Sequence, residues 1–325
     1  MKLTFNIIYT LGSVRYLAWF VKSLLRWSSA DISYRLVSNG CSAEEETALQ
    51  ALCEQSERLG FLRLSSGQTL KHAAALNRLQ ALERSDLFCI LDSDILATGD
   101  FLDELRPYFG QAAAVCSAHA IWAACPERYA PAKSRILRGS HHYAGDFCLG
   151  STFLAVYDNH LVDRVIAKYG VGFDRFRQWK NVPAPARRAL TGLGFGPKLY
   201  DTAKVLNLLL QAEGGKVLYK DSDLLVHIGG ISKRPTGNVA NRHDLLWYLL
   251  KGNWKGAFEV SAHWKDWPLL GRKAEIARYF THFLGSLVEG VPFERRLRVS
   301  HPEIRQEVLR AAGEIGKFYA GLRHA

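Results

Sequence analysis

Leu87-Phe88-Cys89-Ile90-Leu91-Asp92-Ser93-Asp94 is the stretch on which the fold turns. Five consecutive apolar residues read as a strand covered on both faces, and such strands belong to parallel sheets packed between helices. Ligands of open α/β sheets gather where the strands end. Asp92 and Asp94 therefore stand at the mouth of a candidate site. Two carboxylates side by side in a partly dry cleft either raise a pKa or recruit a cation, and their hard oxygen atoms favour Mg²⁺ or Mn²⁺. A divalent ion there would in turn bind a diphosphate. The plainer alternative is that Asp and Ser end strands by turning and capping.

Working outward, three strand-helix units precede this fourth strand. Residues 5–10, 32–37 and 61–64 read as the earlier strands. Helices are expected over 16–27, where Leu17, Phe20, Val21, Leu24 and Leu25 share one face, over 44–59, and over 69–83. Glu44, Glu45 and Glu46 suit the first turn of the second helix through its dipole. This alternation predicts an α/β fold with a mainly parallel sheet and helices on both faces.

Beyond residue 94 the pattern loosens. Strands are expected at 112–118, 152–157 and 217–226, with a helix at 202–212. Residues 123–147 read as a long loop carrying Arg135, Arg138, His141 and His142, and 171–198 as a Gly/Pro-rich basic stretch. From about 238 onward the chain reads as helices. Ile276, Tyr279, Phe280, Phe283, Leu284 and Leu287 form one stripe, and Ser300 with Glu303 makes a capping box opening a last helix. The expected division is a catalytic domain over 1–235 and a helical C-terminal appendage over 236–325.

The chain has 325 residues and a formal net charge of +11, which favours anionic partners. No zinc-finger spacing or dense basic block is present, so nucleic acid is not expected as a partner. The six cysteines show neither metal-site spacing nor the density of a disulfide framework, a usage that suits a reducing cytoplasm. Neither a leader peptide nor an apolar segment of roughly 20 residues, the length a spanning helix needs, is evident. Trp247, Trp254, Trp264 and Trp267 lie among lysines. Core packing explains most such clusters; the alternatives are a peripheral membrane contact or a platform for sugar rings.

Read in order, several blocks resemble glycosyltransferase family 2 of the GT-A fold. Phe5 to Thr10 with Tyr16-Leu17 is similar to that family's opening strand, nucleobase loop and first helix. Leu36-Val37-Ser38-Asn39-Gly40 is similar to its second-strand turn, with Ser38 where an aspartate is usual. Ser66-Gly67 and Ala73-Ala74-Ala75-Leu76-Asn77 resemble the helix beside the donor, with Lys71 or His72 as the basic residue. Asp92-Ser93-Asp94 falls at the metal motif, and Gly150 to Val156 at the acceptor-side strand. Leu199-Tyr200-Asp201 and His227-Ile228-Gly229-Gly230-Ile231-Ser232 resemble the base-bearing helix and closing histidine segment, Tyr200 replacing the usual glutamate.

The resemblance covers about residues 3–232 and implies transfer of a sugar from a nucleotide diphosphate sugar to a glycan or lipid-linked acceptor. It assigns Thr10, Leu11, Asn39, Lys71, His72, Asp92 and Ser93 to the donor. Asp92, Asp94 and His227 fall to a Mn²⁺ or Mg²⁺ ion, with Asp94 the chief ligand, and Asp201 to the general base of an inverting reaction. Capping alone would also explain Asp201, and a lone histidine is more often structural. Gln178-Trp179 resembles part of a processive-synthase motif but precedes Asp201, so processive synthesis is not expected. The rival readings are a haloacid-dehalogenase-type phosphatase with Asp92 as nucleophile, and a catalytically silent binding domain of the same fold.

Overall fold

The computed structural model describes residues 2–123, 129–130, 134–231, 249–252 and 267–323. Its first third alternates as expected: β1 (Leu3–Thr10), α1 (Val14–Leu17), α2 (Phe20–Arg26), β2 (Ile32–Asn39), α3 (Ala43–Cys53), β3 (Leu59–Ser65), α4 (His72–Leu82) and β4 (Leu87–Asp92). The single helix expected over 16–27 is two short ones. That over 44–59 stops at Cys53, because Leu59 already pairs with Tyr34 in the sheet. Ser42 caps α3 through a reciprocal box with Glu45, which satisfies two otherwise orphaned backbone donors.

Short strands follow: β5 (Ile95–Ala97), β6 (Ala114–Ser117), β7 (Tyr129–Ala130), β8 (Ile136–Leu137), β9 (Tyr143–Ala144) and β10 (Phe147–Cys148). Then come β11 (Leu154–Asp158), α5 (Asn159–Tyr169), α6 (Ala184–Gly192), β12 (Leu199–Tyr200), α7 (Lys204–Ala212), β13 (Val217–Tyr219) and β14 (Leu225–His227). The chain closes on two long helices, Trp267–Glu289 (α8) and Pro302–Arg323 (α9). The last helix opens at Pro302, so His301 rather than Ser300 occupies its cap position.

The central sheet has seven strands in the order β13-β6-β11-β4-β1-β2-β3. β1 to β4 run parallel, and β11 enters antiparallel between β4 and β6. The carboxyl ends of β1 to β4 therefore share one edge, where Thr10 pairs with Asn39 and Asn39 with Ser65. β4 is buried along its apolar run, as expected of a central parallel strand. The single strand expected over 217–226 is two: β13 closes the main sheet, whereas β14 leaves it and pairs with β5.

Ile276, Phe280, Leu284, Ile304, Val308 and Ile315 of the C-terminal helices join the same apolar cluster as Phe5, Ile7 and Leu36. Phe20 meets Phe318 and Tyr319 edge-on, and the Tyr319 hydroxyl donates to the Tyr16 carbonyl. The expected division after residue 235, and Trp247, Trp254 and Trp264, lie outside the described residues. Cys41, Cys53, Cys89, Cys116 and Cys148 are unbridged. No described helix is long and apolar enough to cross a membrane.

Candidate metal centre

β4 ends at Asp92, the chain turns through Ser93 and Asp94, and β5 departs to pair with β14. That pairing sets His227 opposite Ile95 and so beside the carboxylates. Ligand atoms of Asp92, Asp94 and His227 all lie within 4.8 Å of one another. The His227 Nε2 is 3.3 Å from Asp94 Oδ1 and 3.7 Å from Asp92 Oδ2. Asp94 and His227 are almost fully buried, while Asp92 keeps a 22% exposed side chain facing the opening.

Each group is held by backbone. The Ala118 carbonyl accepts from His227 Nδ1 at 2.8 Å, so that nitrogen carries the proton and Nε2 is aimed at the acids. Asp94 Oδ2 accepts from the Ile231 N–H at 3.2 Å. Asp94 Oδ1 and His227 Nε2 face each other without a well-aligned hydrogen bond, and Ser93 Oγ is buried with no hydrogen bond. Poorly aligned polar atoms in a dry site keep acceptor capacity that a bound cation would use. Two carboxylates and one imidazole form an oxygen and nitrogen set that fits a hard divalent cation.

The charges agree. Burial opposes ionisation of Asp94, but His227 and the Ile231 N–H more than offset it and hold the carboxyl below its usual range. Burial likewise disfavours charge on His227, and Asp94, Asp92 and the Ala118 carbonyl together raise its pKa. Without a cation the two form an ion pair; a cation would displace the proton from Nε2.

The start of β11 knits the surroundings. Phe153 accepts from Asp92 N–H through its carbonyl, and its ring lies 4.6 Å, centroid to centroid, from His227. Thr152 Oγ1 is 3.2 Å from His72 Nε2, at the first turn of α4. Gly139 also lies against Phe153, where a Cβ would come within 3.2 Å of the ring. The Gly139 N–H donates to Asp201 Oδ2 at 3.3 Å. Asp201 thus sits one side-chain layer from the triad.

Asp201 is not a helix cap: α7 begins at Lys204 with no side-chain cap, and Ala203 takes a left-handed conformation there. Its carboxylate instead meets Arg175 Nε at 3.2 Å. Burial pushes its pKa up, but Arg175, the Thr202 N–H and Lys204 outweigh it and the net shift is downward. Lys204 is buried, its ammonium donating to the carbonyls of His141 and Gly150. Desolvation brings it down to about 8.

The other expected donor residues line the shared strand edge. Leu11 is exposed beyond Thr10. Asn39 is buried, and its amide bonds both the carbonyl and the N–H of Leu70, which ties the loop leading to exposed Lys71. Ser38, lacking the carboxylate that the resemblance leads one to expect, donates to Glu46 Oε1 at 2.7 Å, and Arg63 pairs with the same carboxylate. A carboxylate therefore reaches this point from α3. His141 and His142 are buried, His142 stacked on Tyr219 at 3.7 Å, rather than solvated.

Sequence reasoning missed the contribution of α8. Its Lys273 lies over Trp122 at 4.4 Å, and Arg272 Nε donates to the Trp122 carbonyl. A Cβ on Gly230 would fall 2.7 Å from Lys273 Cε, and one on Gly229 2.5 Å from Trp122 Nε1. Both glycines have positive φ, 74° and 101°, a region only glycine enters freely. The turn after His227 can therefore be gripped by the C-terminal helix. The glycine pair was legible; its partner, more than forty residues on, was not.

No family model and no curated protein matches the chain. Among solved structures it is similar to a mannosyltransferase from Pyrobaculum calidifontis in complex with GDP-Man and Mn²⁺. The identity is 12%, covering 98% of this chain and 82% of that one, with a TM-score of 0.43. It is similar to the bifunctional WbbM at 12% identity over 70% of this chain and 46% of that one, TM-score 0.44. For an active-site mutant of LgtC the identity is 13%, over 67% of this chain and 72% of that one, TM-score 0.40.

Proposed function

We propose that the protein is a metal-dependent GT-A glycosyltransferase that moves a sugar from a nucleotide diphosphate sugar to a hydroxyl of a glycan or lipid-linked acceptor. The observation that carries this reading is the clustering of Asp92 with buried Asp94 and His227, their ligand atoms all within 4.8 Å of one another, at the carboxyl edge of a parallel sheet. Bound there, Mn²⁺ or Mg²⁺ would neutralise the charge that develops on the departing diphosphate. Asp94 and His227 supply the fixed ligands, and Asp92, at the opening, the exposed one.

The nucleotide lies along the strand edge in this reading, over Thr10, Leu11 and Ser93, with Asn39 holding the 66–71 loop and Lys71 and His72 facing the phosphates. Asp201 takes the proton of the acceptor hydroxyl as its oxygen attacks the anomeric carbon, and attack opposite the diphosphate inverts that centre. Arg175 and the Gly139 N–H orient the carboxylate. Transfer is non-processive and the setting cytoplasmic, with peripheral membrane contact open to the C-terminal helices.

The test is incubation with a panel of nucleotide sugars, with and without Mn²⁺. Metal-dependent release of nucleoside diphosphate, lost in Asp94→Asn, supports the reading. Release of inorganic phosphate with Asp92 covalently phosphorylated would replace it by a phosphatase.

A further inference from the structure

The basic stretch at 171–198 holds six Lys or Arg residues and a single acidic one, Asp174. Asp174 is consumed locally, accepting from Asn77 and from the Gly172 N–H. Arg175 is held by Asp201. Arg187 and Arg188 differ: among the described residues neither side chain makes a hydrogen bond or an ion pair.

Both line a groove of about 450 Å³ with Trp179, Ala184 and Thr191. Its helical wall follows from spacing, since Ala184, Arg187, Arg188 and Thr191 stand three and four residues apart on α6 and share a face. Ala184 leaves room between the guanidinium groups and the indole opposite. Trp179 is propped by Tyr200 at 6.0 Å, and the next residue after Tyr200 is Asp201. The groove's indole is thus tied to the strand whose end carries the candidate base.

We infer that this groove binds an anionic sugar of the acceptor, its ring on Trp179 and its carboxylate or phosphate on Arg187 and Arg188. Guanidinium forks match planar oxyanions, and an indole face suits the apolar side of a sugar ring. The exposed large apolar residues of the described chain all lie outside 171–198, so half-buried Trp179 has no exposed apolar neighbours with which to form the broad face that an interfacial surface inserts into lipid. A shallow groove of about 450 Å³ with one indole and two guanidinium groups on its walls matches the size of a single sugar ring. The acceptor assignment rests on the transferase reading; binding itself does not.

The experiment is isothermal titration of the full chain, without donor or metal, using tetragalacturonic acid and glucose 6-phosphate. Maltotetraose, inorganic phosphate and phosphatidylglycerol vesicles are the controls, and the Trp179 indole resonance is followed by NMR, assigned with Trp179→Phe. At least one anionic sugar is expected to bind and shift that resonance. Its affinity is expected to fall about tenfold or more in Arg187→Gln/Arg188→Gln, with the melting temperature unchanged. Equal binding of maltotetraose or of bare phosphate, binding indifferent to the double variant, binding to vesicles alone, or no binding would overturn the proposal. Because no donor is present, none of these outcomes touches the triad.

Discussion

The two sides of the proposed reaction are built by opposite means. Two of the triad, Asp94 and His227, are buried and pinned by the Ile231 N–H and the Ala118 carbonyl, so their charges are expensive and fixed. On the other side Arg188 is exposed and Arg187 half-buried, their charges cheap and uncommitted. Burial gives geometry to the half that must hold a cation at a single point, whereas exposure gives reach to the half that must accept a variable partner. Asp201 combines the two characters, partly buried and already paired with Arg175.

The sharpest way to break this contrast is Asp94→Asn, which keeps shape and removes charge. Transfer is expected to fall about a thousandfold or more, roughly 4 kcal/mol of transition-state stabilisation. A variant retaining a tenth of wild-type kcat/KM would mean that the buried side is architecture only. Asp201→Asn comes next. A positioned base contributes about 10²–10⁴-fold, and the loss should appear in kcat while Mn²⁺ affinity, read by titration, stays put. A parallel fall in metal affinity would merge the two sides into one.

His227→Gln is expected to weaken Mn²⁺ binding about a hundredfold, at the upper end of what even outer-shell partners cost. It also leaves Asp94 buried without its partner, a change that costs about 3–5 kcal/mol of stability. Added Mn²⁺ should restore part of the lost melting temperature, because ligand binding stabilises the native state. A variant that melts low and gains nothing from Mn²⁺ would reduce His227 to a packing residue.

How much of this was open to sequence reasoning depends on distance along the chain. β4 and its two aspartates were legible because a five-residue apolar run and its terminus are local signals. His227 was legible only as a histidine before two glycines; what decides its role is the β5–β14 pairing, which brings together residues more than a hundred positions apart. α5 had every local sign, with Asp158 as cap, Leu161, Val162 and Val165 inward and Gly170 left-handed at its end, yet an assignment that stopped at the preceding strand left it unread. α6 hid behind Pro183 and Pro185, residues that a first helical turn tolerates. Nothing local marks Lys204, because the two carbonyls that close over it come from His141 and Gly150, more than fifty residues away.

That buried lysine offers a test of the boundary between the sides. Its pKa falls to about 8 in the fold, against about 10.4 in an unfolded chain. Below pH 8 both states are protonated and the desolvation cost is present in full. Between about 8 and 10.4 the unfolded chain binds more protons, so this group makes stability rise with pH through that window. Lys204→Met should flatten the rise. It also strips the His141 and Gly150 carbonyls of their donor, at about 1–3 kcal/mol each, so the variant is expected to be less stable at pH 7 despite shedding the buried charge. A pH profile identical to wild type would mean that Lys204 is solvated.

The smallest effect expected concerns the reach of the C-terminal helix. Lys273→Met keeps the stem that covers Gly230 and removes the ammonium that lies over Trp122. If α8 only packs, donor KM and melting temperature both stay at wild-type values. If its charge also faces the diphosphate, donor KM rises about fivefold, which is about 1 kcal/mol, the scale of a partly exposed cationic contact. A rise confined to the donor, with KM for the acceptor unchanged, assigns α8 to the buried side of the contrast. An equal rise for both would mean that the turn after His227 moved, because Trp122 and Gly229 are then no longer clamped and the shift passes through Phe153 toward Asp201.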